Sequence, residues 1–214
     1  MAIELTEPTR GTSWPVLRHQ RIGELAQLAI VRTEQRDRLR KNPSTNVLEK
    51  IQNGIKADGS PKYRQELVVH GVVVSSNMQV KAGDDFVTPP AGDRVRLILK
   101  GKGFGEWIEA RKAHRGGRMV VGDTVLVSTT HAQRYDHDGA PKGERLTTQA
   151  EVDSIPRGVT VGLYGPLELV EGNDPKWIAA AEGHYKADEA ARLERSAIPL
   201  ESVAAGARSW EEDF

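Results

Sequence analysis

Five runs of alternating or β-branched apolar residues, with one helix-forming segment between the third and the fourth, constrain this 214-residue chain most. Runs of this kind, bounded by glycine, proline and other turn residues, are typical of β-strands. We expect strands at residues 22–32, 65–74, 94–100 and 124–135, and a fifth at 159–164 and 167–170 that Gly165-Pro166 interrupts. Gly71 predicts a bulge or bend in the second strand. The helix is expected at residues 105–115, before two glycines.

This order of elements predicts a mainly β fold of the OB type, a five-stranded Greek-key barrel with one helix between strands three and four. Two long insertions, 33–64 and 136–158, fall between strands one and two and between strands four and five. OB-folds grip oligonucleotides with the loops at these two positions. A β-sandwich or a tail-type phage barrel stays open as an alternative, because five short strands do not define one architecture.

The chain divides into four predicted segments. Residues 1–14 are expected as an N-terminal arm, 15–173 as the OB-fold nucleic-acid-binding domain, 174–195 as a C-terminal helix and 196–214 as a flexible acidic tail. Asp174-Pro175 predicts the start of the C-terminal helix, since aspartate is a good N-cap and proline suits the first helical position.

The formal net charge is zero, with 30 basic and 30 acidic residues, but the charges are segregated. Residues 168–214 hold eleven acidic and five basic residues, a net charge of −6, so the preceding residues carry +6. Such asymmetry favours polyanion binding by the basic body, with an acidic tail that screens it. Chance clustering on a solvated surface is the alternative.

Several classes of function lack the residues that they need. The chain has no cysteine, which excludes disulfides, thiol catalysis and Cys-ligated zinc. The glycine-rich segment 101–105 lacks the G-K-[ST] of a phosphate loop, and no G-x-S-x-G motif is present. We therefore expect neither an enzyme, nor a cofactor, nor a metal. The mean hydropathy of −0.50 and the absence of a signal peptide or an apolar span predict a cytoplasmic protein, in the host cytoplasm if phage-encoded, with no membrane partner.

Binding of single strands without sequence preference needs cations for the phosphates and aromatic faces for the bases. Residues of both kinds lie on the predicted third strand, at the neighbouring strand ends and in the two insertions. Trp107, at the start of a helix, fits a core position better than a base platform, whereas Tyr63 and Tyr135 fit either. The candidate nucleic-acid-binding residues are Arg36, Arg38, Lys62, Tyr63, Arg64, Arg94, Arg96, Lys100, Lys102, Phe104, Trp107, Arg134, Tyr135 and Lys142.

The acidic, Phe-terminated tail behind a basic OB-like body resembles the single-stranded DNA-binding proteins of bacterial and bacteriophage replication. The body pattern, Arg36-Asp37-Arg38-Leu39 and then D-G-x-P-K at 58–62 before the strand that starts at Gln65, is similar to phage-encoded members. Bacterial members usually end D-x-P-F behind a Gly/Gln-rich linker, whereas this chain ends E-E-D-F behind an Ala-rich segment.

The resemblance implies non-catalytic, sequence-independent binding of single-stranded DNA in DNA replication, recombination or repair. It also implies that the acidic C-terminal tail recruits replication or recombination proteins and competes with DNA for the groove. The tail residues concerned are Trp210, Glu211, Glu212, Asp213 and Phe214. Homo-oligomerisation is left open. The alternative function is a structural or assembly protein of a phage particle that uses a β-barrel as an interaction module; a subunit of a nucleic-acid enzyme is a third.

Overall fold

The structure, a computed structural model, describes residues 14–136 and 140–197, and this part of the chain is mainly β. The predicted tail residues Trp210–Phe214 and most of the N-terminal arm lie outside the described residues. The helices are α1 (Lys102–Ala113), α2 (Gln149–Asp153) and α3 (Pro175–Ala197). The strands are β1 (Val16–Arg18), β2 (Leu25–Asp37), β3 (Leu39–Lys41), β4 (Leu48–Lys50), β5 (Gln52–Ile55), β6 (Pro61–Tyr63), β7 (Gln65–Ser76), β8 (Gln79–Ala82), β9 (Asp85–Val87), β10 (Arg94–Lys100), β11 (Thr124–Ser128), β12 (His131–Tyr135), β13 (Pro141–Leu146), β14 (Thr160–Tyr164) and β15 (Leu167–Val170).

Eight strands form one mixed sheet in the order β15-β11-β2-β7-β10-β1-β8-β9. Within it β11, β2, β7 and β10 pair antiparallel, so that the predicted strands lie in the order four-one-two-three. This order defines a Greek key. The sheet does not close into a barrel. The side of β10 that faces away from β7 pairs in parallel with β1, and β15 lies at one edge of the sheet.

Gly71, expected to mark a bulge or bend in the second strand, lies opposite a bulge that belongs to the neighbouring strand β2. Ile30 of β2 pairs with Gly71 and Arg32 pairs with His70, so Val31 is the extra residue of a bulge on the neighbouring strand. A Cβ atom at Gly71 would lie 2.9 Å from the Cβ of Leu28. The two strands approach so closely that only glycine fits without a shift of the backbone.

The bounds of β10 agree with the prediction, but the single fourth strand at 124–135 is wrong. It breaks after Ser128 into β11 and β12, and β12 leaves the main sheet to form a three-stranded sheet with β13 and β14. The break accommodates Gly165, where a Cβ atom would lie 2.0 Å from the carbonyl oxygen of Ser128. Helix α1 begins three residues earlier than predicted, since Gly101 with φ 52° turns the chain into it.

Two apolar clusters lie on opposite faces of the main sheet. The inner face of the curled sheet packs around the indole of Trp107 from α1. On the outer face, Trp14, Val31, Val72 and Ala181 form a second cluster beneath α3. Trp14 is only 3% exposed, so it belongs with the folded body and not with the predicted N-terminal arm.

Helix α3 starts where the sequence predicted. The Asp174 carboxylate accepts a hydrogen bond from the backbone N–H of Lys176 at 2.9 Å, and Pro175 is the first helical residue. The helix packs against β2 and β7, which makes it a layer over part of the sheet. None of the helices in the described ranges is both long and apolar enough to cross a lipid bilayer.

Candidate nucleic-acid interface

A groove of about 840 Å³ lies on the outer face of the sheet where α3 does not cover it. Its floor is the end of β2, the start of β7 and the end of β10, which the register of the sheet brings side by side. Arg36 is opposite Glu66, and Glu66 is opposite Lys100. The lining residues are Glu34, Gln35, Arg36, Asp37, Leu39, Lys50, Gln65, Glu66, Ile98 and Lys100.

Two predicted residues, Arg36 and Lys100, converge on one carboxylate in this groove. Arg36 Nη2 lies 2.8 Å from Glu66 Oε1 and Lys100 Nζ lies 3.5 Å from Glu66 Oε2. The Glu66 side chain is 8% exposed, whereas both cations are more than 40% exposed. The trio alone has a net charge of +1, whereas all the charged residues that line the groove, three basic and three acidic, sum to zero.

Residues 38–64 of the predicted first insertion (33–64), which we name the arm, border the groove and line it with Leu39 and Lys50. It consists of two short hairpins, β3–β4 and β5–β6. The arm holds seven basic residues and two acidic ones, a net charge of +5. The predicted residues on it are Arg38, Lys62, Tyr63 and Arg64.

The arm cations are unusually available for a ligand. Within the described part of the chain, none of the following forms an ion pair within 4.0 Å: Arg38, Arg40, Lys41, Lys56, Lys62 and Arg64. The exception is Lys50, whose Nζ lies 2.6 Å from Asp37 and 5.1 Å from the centre of the Tyr63 ring. Hydrogen bonds from Lys50 and then Gln65 hold the pKa of Asp37 below its usual range.

The arm also exposes apolar side chains that have no core to enter. Leu39 and Leu48 on the first hairpin are 48% and 63% exposed, and Ile55 on the second is 70% exposed. The turn of the second hairpin is the D-G-x-P-K motif at 58–62, in which the Asp58 carboxylate accepts a hydrogen bond from the Ser60 N–H at 2.9 Å. Apolar faces beside unpaired cations suit the bases and the phosphates of one strand.

The predicted cationic face of β10 is divided between two roles. Lys100 lies in the groove, but Arg94 and Arg96 are engaged by Trp14. The Arg94 guanidinium lies 5.4 Å from the centre of the Trp14 ring, and Arg96 Nε donates a hydrogen bond to the Trp14 carbonyl at 2.7 Å. Both arginines thus contact Trp14, and Arg94 is also exposed to solvent, whereas Arg96 is half-buried.

The three predicted residues of α1 differ in their burial. Trp107 is 2% exposed at the centre of the inner core, so we assign its ring to the core and not to the interface. Phe104 is half-buried and packs against the same core. Lys102 is half exposed, with Nζ 3.7 Å from Glu106 and 5.7 Å from the centre of the Tyr164 ring.

The predicted residues in and next to the second insertion differ in their exposure. Arg134 is half-buried and its guanidinium packs over Gly143, where a Cβ atom would lie 2.7 Å from Arg134 Nη2. Lys142 is exposed on β13. The hydroxyl of Tyr135 lies 2.7 Å from that of Tyr164, and the hydrogen bond fixes both rings. Burial, with a smaller effect of this bond, raises the pKa of Tyr164 to about 12.

A cavity of about 220 Å³, which we name the seam cavity, lies between the end of β10 and the strands β14 and β15. The sequence prediction missed Tyr164, which lines it; its place just before the Gly165-Pro166 break was the only signal. Ile98 and Lys100 line both the groove and the seam cavity, so the two depressions adjoin each other at the end of β10. The remaining lining residues are His19, Leu99, Gly103, Glu106, Val127, Leu163, Gly165 and Leu167.

No cluster of metal ligands accompanies these depressions: in the described ranges no three His, Asp or Glu side chains are placed to share a metal ion. Comparison with protein-family models, with curated proteins and with solved structures finds no match to this chain.

The outer face next to the groove contains a buried histidine. His70 is 2% exposed, and neither of its ring nitrogens forms a hydrogen bond to the described residues. The Trp14 ring contacts it edge-on, with centroids 5.2 Å apart. Burial, followed by the charges of nearby arginines, lowers the pKa of His70 to about 3. The charged and titratable groups around it are Arg32, Glu34 and Arg36 of β2, Arg96 of β10, and His184 and Asp188 of α3.

We expect His70 to make the protein less stable as the pH is lowered from about 6.5 towards 3. In this range the unfolded chain binds a proton at His70 and the native chain does not, so stability falls with pH. The slope from one proton is at most about 1.4 kcal/mol per pH unit. Urea unfolding between pH 4 and 7 measures it, and His70→Leu should flatten the profile. An unchanged profile in this variant would show that His70 is not the group responsible.

Proposed function

We propose that this protein binds single-stranded DNA, without sequence preference and without catalysis, in DNA replication, recombination or repair. The groove carries the proposal: it is walled by an arm of net charge +5 and floored by the Arg36–Glu66–Lys100 trio. A phosphate backbone along the groove would meet Arg36, Lys50 and Lys100, and beside the groove it would meet the arm cations that form no ion pair with the described residues. The affinity for such a strand is expected to be strongly dependent on salt.

The exposed apolar and aromatic groups favour a single strand over a duplex. Leu39 and Ile55 are exposed and Tyr63 is half-buried, and unpaired bases can pack against them, whereas a duplex keeps its bases stacked inside. Every base has such a face, so contacts of this kind do not select a sequence. The groove lacks a helix shaped to enter the major groove of a duplex.

The fold supports the same function by analogy. The Greek-key order of β11, β2, β7 and β10, with α1 between the third and fourth of the predicted strands, is compatible with an OB-like barrel left open between β10 and β15. On this proposal the arm occupies the position of the loop between strands one and two, where OB-folds hold oligonucleotides. The groove would then correspond to their binding face.

The acidic end of the chain has a second role in the proposal. Trp210–Phe214 carries three acidic side chains, opposite in sign to the arm. We place recruitment of replication or recombination proteins on this segment, with competition for the groove when DNA is absent.

Titration of dT30 and of a 30-base-pair duplex, followed by fluorescence anisotropy from 50 to 300 mM salt, tests the proposed function. We expect tighter binding of dT30 and a log–log salt slope of about −3.5, since five excess charges each contribute about −0.7 on a single strand. A chain lacking Trp210–Phe214 should bind dT30 equally well or more tightly. Equal affinity for duplex, or binding that does not depend on salt, would contradict the proposal and favour an assembly module.

A further inference from the structure

We propose that the seam cavity takes one nucleobase out of the strand bound in the groove; this inference rests on the proposed function. The cavity adjoins the groove, because Ile98 and Lys100 line both. A strand that follows the arm across the end of β10 therefore passes the mouth of the cavity.

The walls of the cavity suit a small flat ring. Leu99, Val127, Leu163 and Leu167 supply apolar surface and Tyr164 supplies an aromatic one. The volume of about 220 Å³ is below the range of about 300–1,000 Å³ that is typical of pockets for drug-sized ligands. A single ring system fits this size, and enzymes that extrude a base hold it in a similarly close pocket of apolar and aromatic groups.

The interior of the cavity is electrically neutral, which favours a base over a phosphate. The Nδ1 of His19 is 2.7 Å from the Thr129 hydroxyl, and burial lowers the pKa of this histidine, so it is uncharged at neutral pH. The other charged groups are paired: Lys100 with Glu66, and Glu106 with Lys102.

The cations for the adjoining phosphates stand at the mouth. The Lys100 and Lys102 side chains are 47% and 49% exposed. Ion pairs with this much exposure contribute little to stability, so a phosphate can compete for the two ammonium groups. The base would enter between them and the backbone would remain outside.

The cavity is formed before any ligand binds. The hydrogen bond between the hydroxyls of Tyr135 and Tyr164 fixes the aromatic wall. Gly165 packs so closely on Ser128 that the turn after β14 has no room to move inward. A base therefore binds without the cost of ordering this part of the protein.

The test compares dT20 with an abasic 20-mer that has the same number of phosphates. Wild-type protein should bind dT20 more tightly. Leu163→Trp fills the cavity and Tyr164→Leu removes its aromatic wall; each should weaken dT20 binding about tenfold and leave abasic binding unchanged. Ile108→Trp, at a 39% exposed position on α1 that does not line the seam cavity, is the matched control and should bind like wild type.

The outcomes separate this inference from the proposed function. Wild-type affinity for dT20 in both cavity variants, or an equal loss for dT20 and for the abasic strand, would overturn the base pocket. If Leu163→Trp does not fold, as circular dichroism would show, Tyr164→Leu decides alone. Failure of wild-type protein to bind either strand would refute the proposed function itself.

Discussion

Replacing Arg38, Lys62 and Arg64 together by glutamine is expected to weaken binding of dT30 about 100-fold at 0.1 M salt. These arm cations have no ion pair in the described structure, so their charge is available to phosphates. The log–log salt slope should become shallower by about 2, because each lost phosphate contact removes about 0.7. Anisotropy titration at several salt concentrations measures both quantities.

A control variant with the same change of net charge separates the arm from the charge of the whole molecule. Lys81, Arg118 and Arg157 are exposed and line neither the groove nor the seam cavity. Their replacement by glutamine should change the affinity only slightly. If the control loses as much affinity as the arm variant, the arm is not the binding surface. Both variants should unfold at about the wild-type urea concentration, since the substituted side chains lie outside the core.

Trp107→Ala is expected to lower the free energy of unfolding by about 3–5 kcal/mol, the usual cost of removing a buried tryptophan side chain. The indole is 2% exposed and packs at the centre of the inner core. Small domains have a total stability of about 5–15 kcal/mol, so much of the protein would be close to unfolding. Urea denaturation followed by circular dichroism measures the change.

Ile108→Ala, at the neighbouring 39% exposed position, should cost far less and serves as the control. Trp107→Phe keeps a large apolar ring and should retain wild-type affinity for dT30. A Trp107→Ala protein of normal stability that no longer binds DNA would show that the indole is a base platform after all, and would refute its place in the core.

The sequence predicts best the strands whose alternation of apolar and polar residues follows from the two faces of one sheet. Val95, Leu97 and Leu99 alternate with polar residues, and β10 has the bounds that this alternation predicts. Gly71 and the Gly165-Pro166 interruption mark a bend and a break in the structure. In each case the residues that mark the structural feature are local in the sequence.

The sequence is least informative where the structure of a segment depends on a residue that is distant along the chain. No breaker separates Ser128 from His131, so the sequence cannot reveal that Gly165 packs there and divides the fourth strand. The cationic face of β10 is real, but Trp14, some 80 residues earlier, engages Arg94 and Arg96. The closed barrel fails for a similar reason, since β1 takes the edge of β10.

Much of the candidate site could be predicted, because it depends on the number of basic residues and on the order of the strands along the chain. The arm was expected as an insertion between strands one and two, and its unpaired cations follow from its excess of basic residues. The convergence of Arg36 and Lys100 on Glu66 required the register of three strands, which alternation alone does not fix. The hydrogen bond that fixes Tyr164 comes from Tyr135, 29 residues earlier, so the pattern around Tyr164 does not reveal it.

Photocross-linking of dT30 that carries 5-iodouracil at successive positions tests the central claim most directly, because mass spectrometry then locates the bound strand on the protein. We predict adducts on the arm, at Tyr63 above all, and at Tyr164 beside the seam cavity. Phe86, 43% exposed on β9 at the far edge of the sheet, is the internal reference and should remain unmodified. Adducts at Phe86 or on α3, with the arm unlabelled, would contradict the assignment of the groove as the DNA-binding surface.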